Sequence, residues 1–502
     1  MTPKPIAAVL GLLLLAAGLT PTGAAAIQAV ESSAACEWIA GDLHIHTTYS
    51  HDSYGGPDDD NTGPEEAYTL GHTVATQFLV AASRGLGYLA ITDHNDIRSH
   101  TDEGFGSMGI VGIRGYENSL SGHAQMLGAS KIYDSGDRSA SAVQTMADEL
   151  RAEGGVFQVN HPAEGSVDHP HDPDWSYGYD VVPDTVEVWN ISRLWQPPMP
   201  SASSNDDAIR YWEGWLDRGY QVAATGGSDN HYLATTPIQG AGQPTTWVCA
   251  SSPTEAGVLE GMRAGHTFIS HQPPVFQGPQ VFLEADGDSD GTFEAIVGDS
   301  VAPGSPLRVR VVGAPGAQLR VVTDGGEASA PVPVTSDAFT HAFTVPADKT
   351  WVRAEIFEPD AHEERAAACD GVFGSQTTYC RNSLLALAMT SALYLAEPDA
   401  EFDPATTLTY VGDTSGRSGS MATLAARLTD SDGTPLEGRR VDLTFRDSVY
   451  PATTDPSGTA SVSIRLQGPP GAYEVISNFA GEDGYLASED RDTLRVTGGA
   501  RP

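Results

Sequence analysis

The sequence is poor in basic residues. Among its 502 residues, Lys and Arg number 27 against 66 Asp and Glu, which gives a formal net charge of -39. A surface with this charge repels nucleic acid and anionic lipid, so we expect neither as a partner. It does not attract anionic substrates over a distance either. A phosphate group would therefore have to be held locally, by metal ions or by a few arginines.

Long apolar runs are scarce as well. The run at 6–19 follows Lys4, is too short to span a bilayer and precedes three alanines at 24–26. This is the pattern of a cleaved export signal over residues 1–26, and the alternative is a retained amino-terminal anchor. We expect a secreted, extracellular protein with no membrane span after the signal.

Only four cysteines occur, and none of them belongs to a CxxC pair, so we do not interpret them as a metal site. An even number in an oxidising compartment favours disulfides. Cys369 and Cys380 flank a short loop and form the first expected bridge. By elimination, Cys36 can pair with Cys249.

Two kinds of organisation follow each other along the chain. Over 37–272, short apolar runs alternate with helix-like stretches such as 141–153, which predicts a parallel sheet, open or closed as a barrel. From about 275, alternating Val and Thr with frequent Gly and Pro predict a β-sandwich over 276–397. A further all-β unit over 403–497 resembles bacterial immunoglobulin-like modules.

Five clusters of histidines and carboxylates each follow an apolar run in the first region. They are GDLHIHTTYSHDS (41–53), ITDHN (91–95), GYENSLSGH (115–123), VNHP (159–162) and GGSDNH (226–231). His44 and His46 are two apart on an expected strand, so their side chains project from one face, and Asp229 and His231 repeat that spacing. Imidazole and carboxylate ligands suit zinc, manganese or iron. No GxSxG elbow and no Walker-type loop occurs, which removes support for a serine nucleophile or a nucleotide triphosphatase.

In order and spacing, these clusters resemble those of the polymerase-and-histidinol-phosphatase (PHP) metallohydrolase family over 37–272. The stretch GMRAGHTFIS at 261–270 resembles the carbaryl-hydrolase-like subgroup of that family. The resemblance implies an α/β fold, a distorted (β/α)7 barrel, followed here by the two all-β sandwich domains. It also implies two or three divalent metal ions (Zn, Mn or Fe), with Glu117 bridging two of them. The implied ligands are His44, His46, His51, His94, Glu117, His123, His161, Asp229 and His231, with Asp52 as the alternate for His51.

The implied chemistry is metal-assisted hydrolysis, in which two cations lower the pKa of a shared water. We expect a secreted phosphoesterase that acts on small phosphate esters. One alternative is a carbamate or carboxylic ester hydrolase with the same centre. Another is a secreted binding protein with a vestigial barrel, whose β domains contact a surface or a glycan.

Supporting roles are assigned to four more residues. Asp93, beside a ligand, is expected to support the site or to shuttle a proton. Arg98, Arg114 and Arg193 follow expected strands and are candidates to bind a phosphate oxygen, with surface salt bridges as the alternative.

An acidic stretch in the first β region imitates the start of a calcium loop. Asp286, Asp288 and Asp290 precede Gly291, but Val297 stands where the terminal glutamate of such a loop is expected. We therefore favour a solvated turn.

Overall fold

The structure is a computed structural model that describes most of the chain from residue 36 onward. All described residues lie in the compact unit Ala34–Pro502. The described ranges are 36–50, 73–120, 122–162, 165–166, 169–173, 175–191, 205–231, 240–358, 386–396, 406–430, 433–446, 448–479, 485 and 488–498. The export signal expected over 1–26 lies outside them.

Four α-helices occur in these ranges. They are α1 (Val74–Ser83), α2 (Ala140–Ala152), α3 (Asn205–Leu216) and α4 (Glu255–Arg263), and short 3-10 helices cover Arg98–Thr101 and Pro274–Phe276. The side chains of Thr73, Ser139 and Thr254 cap α1, α2 and α4 by accepting a backbone N–H from the first turn. None of the helices in the described ranges is long and apolar enough to cross a membrane.

Twelve strands precede residue 271 in the described ranges. They are β1 (Glu37–Asp42), β2 (Tyr88–Ile91), β3 (Val111–Arg114), β4 (Glu117–Asn118), β5 (Ala124–Leu127), β6 (Val156–Val159), β7 (Gly165–Ser166), β8 (His169–Pro173), β9 (Thr185–Asn190), β10 (Ala223–Gly227), β11 (Thr245–Ala250) and β12 (Thr267–Ser270). One sheet contains β12-β11-β1-β2-β3, in which only β1, β2 and β3 run parallel to each other. A second sheet has the order β10-β9-β6-β5-β4, with β6, β9 and β10 parallel. Strands β2, β5, β6, β9 and β10 are buried along their whole length, including the polar side chains that β5, β6, β9 and β10 contain.

Eleven strands follow before residue 396. They are β13 (Gln280–Ala285), β14 (Ala295–Ile296), β15 (Ser300–Val301), β16 (Leu307–Val312), β17 (Gln318–Thr323), β18 (Gly326–Glu327), β19 (Val332–Pro333), β20 (Ala338–Phe343), β21 (Trp351–Phe357), β22 (Ala386–Thr390) and β23 (Leu393–Leu395). Strand β22 pairs antiparallel with β12, so the first sheet continues through β21 into this region and reaches 12 strands. The boundary expected near residue 275 therefore falls inside a continuous sheet.

The last eight strands form two further sheets. They are β24 (Thr406–Tyr410), β25 (Ser415–Arg417), β26 (Met421–Asp430), β27 (Arg440–Phe445), β28 (Ser448–Thr453), β29 (Thr459–Arg465), β30 (Gly471–Phe479) and β31 (Ser488–Thr497). The sheets have the orders β24-β26-β29 and β25-β31-β30-β27-β28. Leu424 of the first and Leu443 of the second belong to one buried cluster, so the sheets face each other across a shared core.

The expected α/β class and the distorted (β/α)7 barrel are wrong. The described part contains 31 strands against four α-helices, so the fold is mainly β. The described strands before residue 271 do not close into one parallel barrel, because ten of them lie in two separate sheets that each include antiparallel pairs and the other two, β7 and β8, pair with each other. The physical reason is how β12 is paired. Its second edge pairs with the antiparallel strand β22, whereas a (β/α)7 barrel would place there a parallel strand that is connected through a helix.

A disulfide joins Cys36 to Cys249, which confirms that expected pair. It links the start of β1 to β11, beside the antiparallel register Trp38↔Cys249. Cys369 and Cys380 lie outside the described residues.

Candidate metal centre

The five sequence clusters meet where the two sheets of the first region approach each other. His44 and His46 follow β1, His94 follows β2, His161 follows β6, and Asp229 and His231 follow β10, while Glu117 begins β4. The isolated bridges Ile45↔Asn230 and His94↔Glu117 connect the two sets of strand ends. Parallel strands end at the same edge of a sheet, so this pairing brings the polar side chains to one place.

Glu117 lies at the middle of the cluster and is 1% exposed. Its Oε2 is 3.2 Å from Nε2 of His44, 3.4 Å from Nε2 of His46 and 3.2 Å from Nδ1 of His94. Its Oε1 is 3.1 Å from Nδ1 of His123 and 3.5 Å from Nε2 of His161. A single carboxylate thus faces five imidazoles.

Asp229 is a second carboxylate, and it shares the imidazoles of His44 and His46 with Glu117. Its Oδ1 lies 3.3 Å from Nε2 of His44, 3.2 Å from Nε2 of His46 and 3.4 Å from Nδ1 of His231. Nε2 of His44 and Nε2 of His46 are only 3.1 Å apart. Both ring nitrogens therefore point at one small volume between Glu117 and Asp229.

This donor set fits divalent cations. Four groups of three side chains each bring their ligand atoms within 4.8 Å of one another: His46, His94 and His231; His44, His46 and Glu117; His44, His161 and Asp229; and Glu117, His123 and His161. The groups share members, so the arrangement suits more than one ion. Nitrogen and oxygen ligands of this kind are those of zinc, manganese and iron sites.

Exposure is uneven across the cluster. The side chains of His123, His231 and Asp229 are 29%, 19% and 15% exposed, whereas His44 and His46 are fully buried. Among the described ligands, His123 and His231 are thus the most exposed to solvent.

The protein charges perturb the ligand protonation states. Burial and the neighbouring His231 lower the pKa of His46 to about 3. Burial opposes the charged form of His44, but the nearby Asp229, Glu187 and Glu117 outweigh it and raise the pKa of His44 well above its ordinary value. Burial also disfavours ionised Glu117, yet the surrounding imidazoles hold the pKa of its carboxyl well below the ordinary value. The site is therefore built to keep its carboxylate anionic.

Hydroxyl and amide side chains fix the ligands in position. Ser50 Oγ lies 3.1 Å from Nδ1 of His46, and Ser119 Oγ lies 2.5 Å from Nδ1 of His94. Asn160 donates through Nδ2 to Oε1 of Glu117 at 2.8 Å. These residues lie within or beside the five sequence clusters but were not predicted as parts of the site.

Backbone strain accompanies two of the ligands. His161 and Asp229 have φ angles of 25° and 48°, which residues other than glycine seldom adopt. Such strain costs about 1–3 kcal/mol per residue and is typical of functional sites.

Glu187 and Asn190 of β9 were missed by the sequence analysis altogether. Glu187 Oε1 lies 3.0 Å from Nδ1 of His44, and Asn190 donates to both Glu187 and Asp229. A signal was present, since a glutamate in the apolar strand TVEVWN is costly to bury without a role.

Asp93 is buried behind the cluster. Its Oδ1 accepts hydrogen bonds from N and Oγ1 of Thr47 at 2.6 and 2.9 Å, and burial raises its pKa to about 6. These contacts hold the segment that follows His46, and the proton-shuttle role expected for Asp93 stays a prediction.

The arginines predicted to bind phosphate are engaged with carboxylates. Arg98 Nη2 lies 2.5 Å from Oδ2 of Asp96, and Arg114 Nη2 lies 2.9 Å from Oε2 of Glu255. Both geometries correspond to the salt-bridge alternative. Arg193, together with the candidate ligands His51 and Asp52, lies outside the described residues.

The acidic stretch in the first β region forms a compact loop. Asp286, Asp288, Asp290 and Glu294 bring oxygens within 4.8 Å of one another. The carboxylate of Asp286 accepts the backbone N–H of Asp290 and of Gly291 at 3.0 and 2.9 Å. These contacts are those of the turn favoured by the sequence analysis.

Comparisons with known protein families and with curated proteins give no match. Among solved structures, the chain is similar to Salmonella α2-macroglobulin reacted with methylamine (10% identity, 51% of this chain and 18% of that one, TM-score 0.23) and to native Escherichia coli α2-macroglobulin (10%, 44% and 16%, TM-score 0.21). It is also similar to a bacterial ice-binding adhesin (12%, 51% and 73%, TM-score 0.18). The chain thus spans less than a fifth of each macroglobulin.

At identities of 10–12% and TM-scores of 0.18–0.23, this likeness carries no argument about function.

The identification with the PHP family and its carbaryl-hydrolase-like subgroup is wrong. No family matches the chain, and the described sheets do not form the barrel that the family implies. Short His and Asp motifs after strands predict where polar side chains gather, but they contain no information on how the sheets pair.

Proposed function

We propose that the chain is a secreted metalloprotein whose histidine and carboxylate cluster binds two or three divalent ions and hydrolyses small esters. The supporting observation is the convergence on Glu117 Oε2 of two imidazole nitrogens, Nε2 of His44 and Nε2 of His46, within 3.4 Å. A cation bound among these atoms would explain why buried nitrogens face one carboxylate oxygen at this distance.

In this proposal the candidate ligands have different roles. Glu117 belongs to two of the four groups and would hold an ion in each, while Asp229 and His231 would complete the other two. Bound divalent ions lower the pKa of a coordinated water and neutralise charge that develops on an ester oxygen. His123 and His231, the most exposed ligands, would contact the substrate side.

Phosphate esters are the first substrate class that we propose, and carbamates or carboxylic esters are the second. The overall charge of -39 opposes diffuse attraction of phosphates, so a phosphate substrate depends on the ions themselves. That dependence separates the two classes, because a neutral carbamate does not need the same charge compensation.

The test compares metal-loaded proteins on a panel of nitrophenyl phosphates and naphthyl esters. The variants are Glu117→Gln and, as a matched control, His341→Ala, since His341 lies on β20 away from the cluster. We expect the wild type and the control to turn over one substrate class. Glu117→Gln should lose more than the about 10–100-fold typical of residues that only support a ligand. If the fully metal-loaded wild type turned over none of the esters, the hydrolase proposal would be wrong.

A second candidate function is binding of a surface or ligand by the β domains, with the metal centre as a structural element. This function requires the β24–β31 sandwich to act apart from the metal centre, and the sandwich has its own hydrophobic core. A metal-loaded protein without ester turnover, whose fragment 403–497 retains binding to the same surface, would support this function instead.

Export is part of the proposal. The Cys36–Cys249 disulfide is compatible with an oxidising compartment. Detection of the mature chain outside the producing cell, beginning near residue 27, would support it.

A further inference from the structure

We infer that Glu187 and Asn190 are positioning residues that fix His44 and Asp229 for metal binding. The inference rests on the proposed metal centre. The two residues contact the candidate ligands His44 and Asp229 and would hold them in position. It starts from the burial of Glu187, a carboxylate that is fully enclosed in β9.

Strand β9 presents two opposite faces. Val186 and Val188 belong to the large hydrophobic cluster, so Glu187 between them projects from the opposite face of the sheet, on which it contacts His44. Its Oε1 lies 3.0 Å from Nδ1 of His44. A buried carboxylate is costly unless it is well hydrogen-bonded, so this contact demands that His44 carry its proton on Nδ1.

That proton placement has a direct consequence for the centre. With N–H at Nδ1, the Nε2 lone pair of His44 points at the volume between Glu117 and Asp229, 3.2 and 3.3 Å from their oxygens. Carboxylate-to-histidine contacts of this type orient metal-ligating imidazoles and raise their basicity. Glu187 would therefore select the ligating tautomer of His44.

Asn190 couples this contact to the second carboxylate of the site. Its Nδ2 donates to Oε2 of Glu187 at 3.0 Å and to Oδ2 of Asp229 at 3.2 Å. The backbone of Asn190 is held in turn by Asn205 at the start of α3, whose side chain accepts its N–H and donates to its carbonyl. One amide group thus sets the spacing between ligands that come from β1 and β10.

The contact between Glu187 and His44 depends on the absence of a side chain at Gly227. A Cβ placed on Gly227 would lie 2.4 Å from Oε1 of Glu187 and 2.4 Å from Cβ of His44. Contacts that short do not occur, so a glycine at 227 is required for Glu187 and His44 to meet.

The experiment measures Co²⁺ binding by competition with a chromophoric chelator, together with the visible absorption spectrum of the bound Co²⁺. Glu187→Ala should bind Co²⁺ about 10–100-fold more weakly and with an altered spectrum. Glu187→Gln keeps a carbonyl acceptor for Nδ1–H and should recover most of the affinity. Glu284→Ala is the matched control, because Glu284 is a similarly buried glutamate paired with Arg308 and Arg310 far along the chain.

Three results would overturn the inference. The first is wild-type affinity and spectrum in Glu187→Ala. The second is an equal loss in Glu284→Ala, which would indicate a general effect of destabilisation. The third is a wild type that binds no Co²⁺, which would remove the proposed metal centre itself. If Glu187→Ala does not fold, Asn190→Ala tests the same network, and unchanged affinity in that variant would also contradict it.

Discussion

Removal of the Cys36–Cys249 disulfide should cost stability without weakening the metal centre. The bridge closes a segment of 213 residues, for which the chain-entropy relation gives a stabilisation of about 5 kcal/mol at 25 °C. It links β1 to β11, and both strands are also held by the register from Glu37↔Ala250 to Gly41↔Thr246. His44 and His46, which follow β1, should therefore keep their positions in the folded protein.

The assay is thermal and denaturant unfolding of a Cys36→Ser, Cys249→Ser double variant, with Co²⁺ affinity measured on the folded protein below its transition. We expect a clear decrease in the unfolding midpoint and an affinity close to that of the wild type. A stability unchanged from the wild type would refute the entropy argument. A large loss of affinity at temperatures where the variant is folded would refute the claim that strand pairing alone positions the ligands.

Three further predictions follow from contacts around the centre and the β domains. Gly227→Ala should lower the free energy of unfolding by about 1–3 kcal/mol and weaken Co²⁺ binding, because the new Cβ would overlap Glu187 and His44. The control is Gly471→Ala, whose Cβ would have no neighbour closer than 3.4 Å and which should leave Co²⁺ binding unchanged. Ser391→Ala removes the acceptor of the Ala224 N–H at 3.1 Å and should cost about 1–3 kcal/mol in urea unfolding, while the exposed Ser329→Ala should be neutral. Leu424→Ala in the core of the last sandwich should cost about 2–5 kcal/mol without changing the metal content, and a loss of bound metal would contradict the separation of the two cores.

The local part of the site could be predicted from the sequence. The two-residue spacing of His44 and His46 and of Asp229 and His231 predicted that each pair meets at one site, although all four residues follow β1 or β10 and Asp229 has a φ of 48° that no strand adopts. Three of the clusters follow the fully buried strands β2, β6 and β10, so their approximate places at strand ends were predictable as well. The pairing of Cys36 with Cys249 followed from the small number of cysteines.

The remaining features depend on contacts between residues that are distant in the sequence. Pairing of Phe268 with Thr390 turns the expected helix-covered barrel into a sheet that continues through the β-rich region, and no local pattern encodes that register. Arg98 and Arg114 looked available for phosphate until Asp96 and Glu255 were found beside them. Glu187 was overlooked because its partner, His44, precedes it by 143 residues.

The most direct test is the number of metal ions that the purified chain retains. Elemental analysis of the wild type, after incubation with Zn²⁺, Mn²⁺ or Fe²⁺ and removal of loosely bound ions, should give at least two ions per chain. The same analysis of a His46→Ala, Asp229→Ala double variant should give markedly fewer. A wild type that retains well under one ion per chain under all three conditions would contradict the assignment of this cluster as a metal centre.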